Sequence, residues 1–269
     1  MPLHVFEGAC IAVVALTLWT MGRARSASHL LRDYALLACA AWLGEDTCIA
    51  LYRFYAYAPG WHLRLHHVPL LVPLIWPLVI LSARDVVSAT WPALRGGRPF
   101  AVAALVAFDA SLVEVVAVRA GLWSWAEAGH LGVPVIGVLG WGFFALGADL
   151  ALSRARPLLA IALGPLTAHA LIVVSWWGLF RWTMRGALGT PSIVGVAVLG
   201  LLAVAVAVGT RRRGGAIPLA VAAPRMIAAA LFLALLIATA PADVPLWIHA
   251  AAVALPYLAA TAWPFRGTR

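Results

Sequence analysis

The sequence predicts an all-α protein, a polytopic bundle of transmembrane helices that forms one integral membrane domain over 1–269. Of the 269 residues, 64% are hydrophobic and only 11% are charged, whereas soluble domains carry roughly 45–50% apolar and about 25% charged residues. A water-soluble chain of this length could not bury that much apolar surface. Inside a bilayer every backbone amide must be satisfied internally, so the apolar stretches are expected to be helices.

Nine apolar stretches approach the roughly 20 residues that a transmembrane helix needs. The last two are separated by only three residues, so the expected number of spans is seven to nine. The nine candidates are 5–22, 33–55, 68–88, 99–120, 134–152, 157–179, 192–209, 224–240 and 244–263.

The arginines predict the orientation of the chain. All 19 basic residues are Arg, and they lie singly or in short runs between apolar stretches. This distribution lacks the basic face of a nucleic-acid-binding protein. With the N-terminus outside, most arginines fall in inner connections, and this positive-inside bias favours an odd number of spans with the C-terminus inside. We expect the protein to lie in a bacterial cytoplasmic membrane.

Polar residues are distributed unevenly along the chain. Acidic and aromatic residues concentrate in 1–182, which we interpret as the catalytic half, whereas 192–263 is rich in Ala, Val and Leu and is expected to be scaffold. No internal repeat is evident in the sequence. Many transporters are built from repeats, so this absence argues against transport.

Four acids lie at middle to outer depth in predicted spans, where ionisable groups are costly and indicate function. Glu45 and Asp46 belong to the second span, and Asp109 and Glu114 to the fourth. Both helices run from inside to outside in the predicted topology, so the acids could face a common cavity. Helical geometry turns Asp46 about 100° from Glu45 and Glu114 about 140° from Asp109. We therefore expect one acid from each helix to be central.

Neutral carboxylic acids in an apolar site could perform acid catalysis. Desolvation disfavours the charged form of a carboxyl, and a carboxyl that keeps its proton can donate it to a C=C bond. Aromatic residues follow both acid-bearing spans, and aromatic faces stabilise carbocations. The same aromatic residues would also suit the belt at a membrane interface. A helix–helix hydrogen bond without chemistry is the other interpretation of the acids.

Histidine and cysteine give little support for a metal centre. His62, His66 and His67 form one H-x-x-x-H-H box, which supplies too few ligands for a di-iron site. The three cysteines lie in apolar segments without metal-ligating spacing. We expect no metal and no cofactor.

Two ordered motifs carry a resemblance to a known family. The first comprises Glu45, Tyr55-Ala56-Tyr57, Val68-Pro69, Pro73 and Trp76. The second comprises Asp109, Glu114, Gly121-Leu122-Trp123-Ser124-Trp125, Gly132-Val133-Pro134 and Gly140-Trp141. Together they span about 40–145 and resemble the carotenoid biosynthesis membrane protein family, whose known member activity is bisanhydrobacterioruberin hydratase. The chain departs from that family at Val115, where the family has Pro, and in lacking an Asn shortly before Gly140.

The resemblance implies an integral membrane enzyme whose partners are a carotenoid or other isoprenoid lipid and the membrane lipids, with no nucleic acid. A carboxylic acid would protonate a C=C bond, and water would capture the cation. We expect Glu45 and Asp109 to form the central catalytic pair, with Asp46 and Glu114 supporting them. The expected substrate-binding residues are Tyr55, Tyr57, Trp76, Trp123, Trp125 and Trp141.

Two other functions remain open at this point. A membrane terpene or carotenoid cyclase would use the same protonation, but an internal alkene would capture the cation; the missing Asn makes this alternative serious. A proton-coupled transporter or a lipid-binding membrane protein would need no catalysis. The sequence does not indicate the oligomeric state.

Overall fold

The computed structural model describes residues 2–23, 25–94, 96–127, 129–154, 156–183, 190–214 and 217–261, and they form a bundle of helices. The helices are α1 (Leu3–Gly22), α2 (Ala27–Tyr52), α3 (Leu71–Thr90), α4 (Arg98–Arg119), α5 (Val135–Ser153), α6 (Ala160–Ile172), α7 (Arg181–Thr183), α8 (Thr190–Gly214), α9 (Leu219–Thr239) and α10 (Val244–Thr261). A 3₁₀ turn (Pro157–Leu159) precedes α6, and π-helical turns (Val173–Phe180) continue it. The short strands are β1 (Tyr55–Tyr57), β2 (Arg64–Leu65), β3 (Val68–Pro69) and β4 (Trp123–Trp125).

Seven helical segments among the described residues are long and apolar enough to cross a membrane. They are α1 to α5, Pro157–Phe180 and α9, while the apolar segments Val194–Gly209 and Val244–Ala260 are shorter. The all-α class is therefore confirmed, and seven spans are supported by length and composition. The end of the predicted ninth span, 262–263, lies outside the described residues. The orientation of the termini stays a prediction.

Two consecutive helix–strand–helix units form the centre of the bundle. Unit 1 is α2–β1–α3 and unit 2 is α4–β4–α5. The two strands pair antiparallel, with Tyr55 opposite Trp125 and Tyr57 opposite Trp123. We call this side of the molecule the strand end of the bundle. Antiparallel pairing relates the two strands themselves by a local two-fold rotation.

The two units follow the same sequence of backbone events. A left-handed residue ends the first helix of each unit, Arg53 with φ 53° and Gly121 with φ 71°, and a strand begins two residues later. Each unit then contains a Val-Pro dipeptide, Val68-Pro69 or Val133-Pro134, and a Trp seven residues after that Pro. The repeat that was not evident in the sequence is therefore present in the structure. The two copies of the repeat differ in residue type, so the repeat is not recognisable from the sequence.

Small residues allow α5 to approach its neighbours closely. A Cβ on Gly147 would lie 2.1 Å from the carbonyl oxygen of Leu163 in α6, and one on Gly142 would lie 3.0 Å from that of Ala103 in α4. Backbone atoms cannot yield as a flexible side chain can. The close packing of α5 between α4 and α6 therefore depends on glycine, and it fixes the position of the α5 side chains.

Candidate functional site

An apolar cavity of about 120 Å³ lies between the two units at the strand end. Two carboxyls line it, Glu45 from α2 and Glu114 from α4. All six aromatic residues that the sequence predicted for the substrate pocket also line it: Tyr55, Tyr57, Trp76, Trp123, Trp125 and Trp141. The strands position four of these side chains, because Tyr55 and Tyr57 of β1 alternate with Ala56 as Trp123 and Trp125 of β4 alternate with Ser124.

Glu45 accepts three hydrogen bonds from residues of its own unit. The hydroxyls of Tyr55 and Tyr57 both donate to Oε2, the latter at 2.9 Å. The indole Nε1 of Trp76 donates to Oε1 at 2.9 Å. Glu45 is half-buried, as expected of a side chain that faces a cavity.

Glu114 accepts the equivalent set of bonds in the second unit. Nε1 of Trp123 and Nε1 of Trp125 donate to Oε2 at 2.8 and 2.9 Å. Nε1 of Trp141 donates to Oε1 at 2.7 Å. The residue is only 3% exposed. Each carboxyl is thus held by two aromatic donors from a strand and one Trp from the following helix.

A stacked pair of indoles connects the two carboxyl sites. The ring centroids of Trp76 and Trp141 are 4.3 Å apart, with 30° between their planes. One indole donates to Glu45 and the other to Glu114. The two acids therefore belong to one aromatic cluster, and their side chains are fixed relative to each other.

The hydrogen-bond pattern fits a neutral carboxylic acid at either position. In each carboxyl Oε2 accepts two bonds and Oε1 accepts one. A neutral acid can accept two bonds at its carbonyl oxygen and one at its hydroxyl oxygen, and still has an O–H to donate. Among the ion pairs of the described residues, none involves Glu45 or Glu114. A proton on Oε1 would therefore be available to a group in the cavity.

The tyrosines of β1 remain donors over the ordinary pH range. They lie between α2 and α3, outside the spanning helices. Burial raises the pKa of Tyr55 and of Tyr57 well above its ordinary value, and a negative charge on Glu45 raises it further whenever that carboxyl is ionised. Both phenols therefore stay protonated beside Glu45.

Two of the four predicted catalytic acids do not line the cavity. Asp109 forms an ion pair with Arg225 of α9 and accepts a hydrogen bond from the hydroxyl of Tyr257 of α10. Asp46 accepts hydrogen bonds from His66 and from the backbone of His67. The expected pairing of Glu45 with Asp109 is therefore corrected, because the helix phase that points Glu114 into the cavity turns Asp109 away from it.

The predicted division into a catalytic half and a scaffold also needs refinement. Phe232 of α9 lines the cavity, and Arg225 of the same helix neutralises Asp109. Among the described residues after 182, one thus lines the cavity and another is the counter-ion of a membrane acid. They do not contribute a carboxyl to the cavity.

Replacing Arg225 by Met tests the assignment of Asp109 to structure. The side chains of Arg225 and Asp109 are 10% and 19% exposed, and removal of one partner from a buried ion pair costs about 3–5 kcal/mol. We expect the thermal unfolding temperature of the purified protein to fall strongly in Arg225→Met and to recover in part in Arg225→Met with Asp109→Leu. Equal unfolding temperatures for wild type and Arg225→Met would contradict this assignment.

Replacing Trp141 by Phe tests the contribution of one indole donor. The variant keeps an aromatic ring beside Trp76 but leaves Oε1 of the buried Glu114 without its donor, which costs about 1–3 kcal/mol. We expect a lower unfolding temperature in detergent. Trp19→Phe is the matched control, because Trp19 is 59% exposed and its loss should change the temperature little. A similar effect of both substitutions would contradict the importance of this bond.

Comparisons of the chain with protein families, with curated proteins and with solved structures give no match.

The sequence had ranked Glu114 as a supporting residue, whereas its position in the cavity is equivalent to that of Glu45. One sequence signal could have revealed this equivalence. In both units a Glu is followed nine or ten residues later by an aromatic-x-aromatic triplet, Tyr55-Ala56-Tyr57 or Trp123-Ser124-Trp125.

Proposed function

We propose that this chain is a membrane enzyme that protonates a C=C bond of a carotenoid or other isoprenoid lipid. The observation that carries the proposal is the convergence of Glu45 and Glu114 on one apolar, aromatic cavity without an ion-pair partner among the described residues. Such a site suits an uncharged lipid and a carbocation better than it suits a polar metabolite. Water capture of the cation would make the enzyme a hydratase, as the sequence motifs imply, in a bacterial cytoplasmic membrane.

The hydrogen-bond partners favour Glu45 as the acid. Tyrosine hydroxyls both donate and accept hydrogen bonds, whereas an indole N–H only donates. Tyr55 and Tyr57 can therefore pass a proton to Glu45 after each turnover. Glu114 is surrounded by three indoles, and it can exchange a proton only with a molecule in the cavity.

The reaction starts with Glu45 protonated and Glu114 ionised, and every proton can then be accounted for. Glu45 gives its proton to one carbon of the C=C bond, whose π electrons form the new C–H bond, and a tertiary cation remains on the other carbon. An aromatic face of the cavity lining that is not covered by another ring stabilises that cation. A water oxygen attacks the cation and passes its surplus proton to the carboxylate of Glu114. This proton returns through a second water to the hydroxyl oxygen of Tyr55 or Tyr57, which passes its own proton to Glu45 and restores the starting state.

The cavity volume indicates which part of a lipid would enter. An apolar cavity of about 150 Å³ holds a benzene molecule, and the cavity here measures about 120 Å³. It therefore suits roughly one five-carbon unit. We propose that one end of an isoprenoid chain enters, while the remainder of the lipid stays outside the cavity.

A cyclase is the second candidate, and one observation favours it. The six predicted aromatic residues all donate their N–H or O–H to the two carboxyls, and the indole N–H of Trp61, which also lines the cavity, donates to the carbonyl oxygen of Leu122. These donors are therefore not free to position a water molecule, and only the two carboxyls could do so. An internal alkene of the substrate could capture the cation instead, after the same protonation by Glu45.

Transport is a weaker alternative. Transporters are often built from repeats, and no repeat was evident in the sequence. The structure contains a two-unit repeat, so this argument against transport no longer holds. The cavity, however, is lined by apolar and aromatic side chains around only two carboxyls. A proton or ion path would need more polar groups along its length, so the lining supports a lipid.

Expression in carotenoid- and terpenoid-producing cells tests the proposed function. Mass analysis of the extracted lipids is expected to show a new product that has gained one water per modified end. A ring-containing product of unchanged mass would favour the cyclase. Unchanged lipids in every producing host, with the protein folded in the membrane, would contradict both enzymatic proposals.

A further inference from the structure

A second group of ionisable side chains lies at the strand end, outside the cavity. Asp46, His66 and His67 place one potential ligand atom each within 4.8 Å of the others. Nδ1 of His66 lies 2.9 Å from both carboxylate oxygens of Asp46. The backbone N–H of His67 donates to Oδ1 of Asp46 at 3.1 Å, and the two imidazole centroids are 3.8 Å apart.

The backbone that presents these histidines is unusual for its residue types. β2 and β3 pair antiparallel with Leu65 opposite Val68, so His66 and His67 form a two-residue hairpin turn. His66 has φ 57°, and the first position of a tight hairpin turn with positive φ favours Gly, Asn or Asp. Leu131, which begins the corresponding turn of the second unit, has φ 51°, so this backbone conformation belongs to the turn in both units.

The second unit shows that the fold does not require these side chains. Its corresponding turn lies between His130 and Val133, which form an antiparallel bridge. Leu131 and Gly132 occupy that turn, and Val115 follows Glu114 where Asp46 follows Glu45. All three potential ligands of unit 1 are thus replaced by residues that cannot bind a metal. An Asp and two His that occur together in one unit only are better explained by a shared ligand than by the needs of the turn.

We propose that Asp46, His66 and His67 bind one divalent transition-metal ion, with Zn²⁺ the best match. Two imidazoles and one carboxylate are a ligand set that proteins use for Zn²⁺ and related ions. The His66 side chain is 61% exposed and that of Asp46 13%, so water can complete the coordination. The ion takes the position of the proton between His66 and Asp46. It links the β2–β3 hairpin to α2 at Asp46, the residue after Glu45. This site does not depend on the function proposed for the cavity.

Metal titration of the full-length protein tests this site directly. The protein is purified in detergent without a polyhistidine tag, and Zn²⁺ binding is measured by calorimetry; Co²⁺ replaces it for absorption spectroscopy. We expect one saturable ion per chain and a Co²⁺ spectrum of nitrogen and oxygen ligation. The variant Asp46→Val, His66→Leu, His67→Gly copies the residues of the second unit, so its turn can form. Its affinity is expected to fall by more than the roughly 10–100-fold that losing an outer-shell partner costs.

His62→Ala is the matched control for this titration. His62 binds the carboxylate of Glu7 through its Nδ1 and its backbone N–H, so it is also a His–carboxylate pair beside the hairpin. Neither Glu7 nor His62 belongs to the group of three potential ligands found among the described residues. We expect this variant to bind Zn²⁺ as wild type does. No saturable binding by wild type, equal binding by the triple variant, or loss of binding in His62→Ala would each overturn the proposal.

Discussion

The Glu45→Gln variant is expected to lose lipid conversion by at least about 100-fold, the contribution typical of a positioned general acid. An amide has nearly the same shape as a carboxyl, but it cannot give up a proton to a C=C bond. In the structure no other carboxyl is placed to receive protons from Tyr55 and Tyr57, because both hydroxyls donate to Glu45. The measurement is the amount of new product per amount of folded protein in membranes of a producing host.

Glu7→Gln provides the matched control for this loss. Glu7 is also a buried acid near the strand end, 9% exposed, but it binds His62 and does not line the cavity. The same substitution there should leave conversion close to that of wild type. If Glu45→Gln retained more than a tenth of wild-type conversion, or if Glu7→Gln lost as much, Glu45 could not be the acid.

The Glu114→Gln variant is expected to lose the hydrated product by a similar factor, for a different reason. An amide cannot take up the proton that water releases when it attacks the cation. Its NH₂ group would also face one of the three indole N–H donors, which leaves a donor unpaired at a cost of about 1–3 kcal/mol. Unfolding temperatures must therefore be measured beside conversion, so that loss of fold is separated from loss of chemistry.

The two acid variants should differ when the reaction is run in D₂O. With Glu45 intact, Glu114→Gln can still protonate the alkene and release the cation as an alkene, so deuterium should enter the recovered lipid. Glu45→Gln should give no deuterium in the lipid. Because the two acids act as one unit, the double variant should be little worse than Glu45→Gln alone. Equal deuterium incorporation in both single variants would contradict the assigned roles.

Local features of the sequence predicted the architecture and much of the site. Long apolar runs determine transmembrane helices because lipid forces the backbone to satisfy its own hydrogen bonds. Glu45 could be named because it is an acid within an apolar span, and the six aromatic residues because they follow the acid-bearing spans or belong to the two motifs that carry the family resemblance. All of these residues lie within about one hundred positions of the chain.

Long-range packing explains what the sequence did not predict. Asp109 was expected beside Glu45, but its counter-ion Arg225 comes from a helix far along the chain, and no local pattern announces that contact. The rotation of α4 then decides between Asp109 and Glu114. The repeat was hidden because Tyr in one unit corresponds to Trp in the other, and Arg53 to Gly121. Similar backbone geometry does not require similar side chains.

Incorporation of solvent deuterium into a lipid by the purified protein tests directly whether Glu45 protonates an alkene carbon. The protein is placed in liposomes with a panel of acyclic carotenoids and linear terpenoids in D₂O, and the lipids are analysed by mass spectrometry. We expect one non-exchangeable deuterium at the modified end of a lipid with wild type and none with Glu45→Gln. A converted lipid without carbon-bound deuterium, or equal labelling by Glu45→Gln, would contradict protonation of an alkene by this carboxyl.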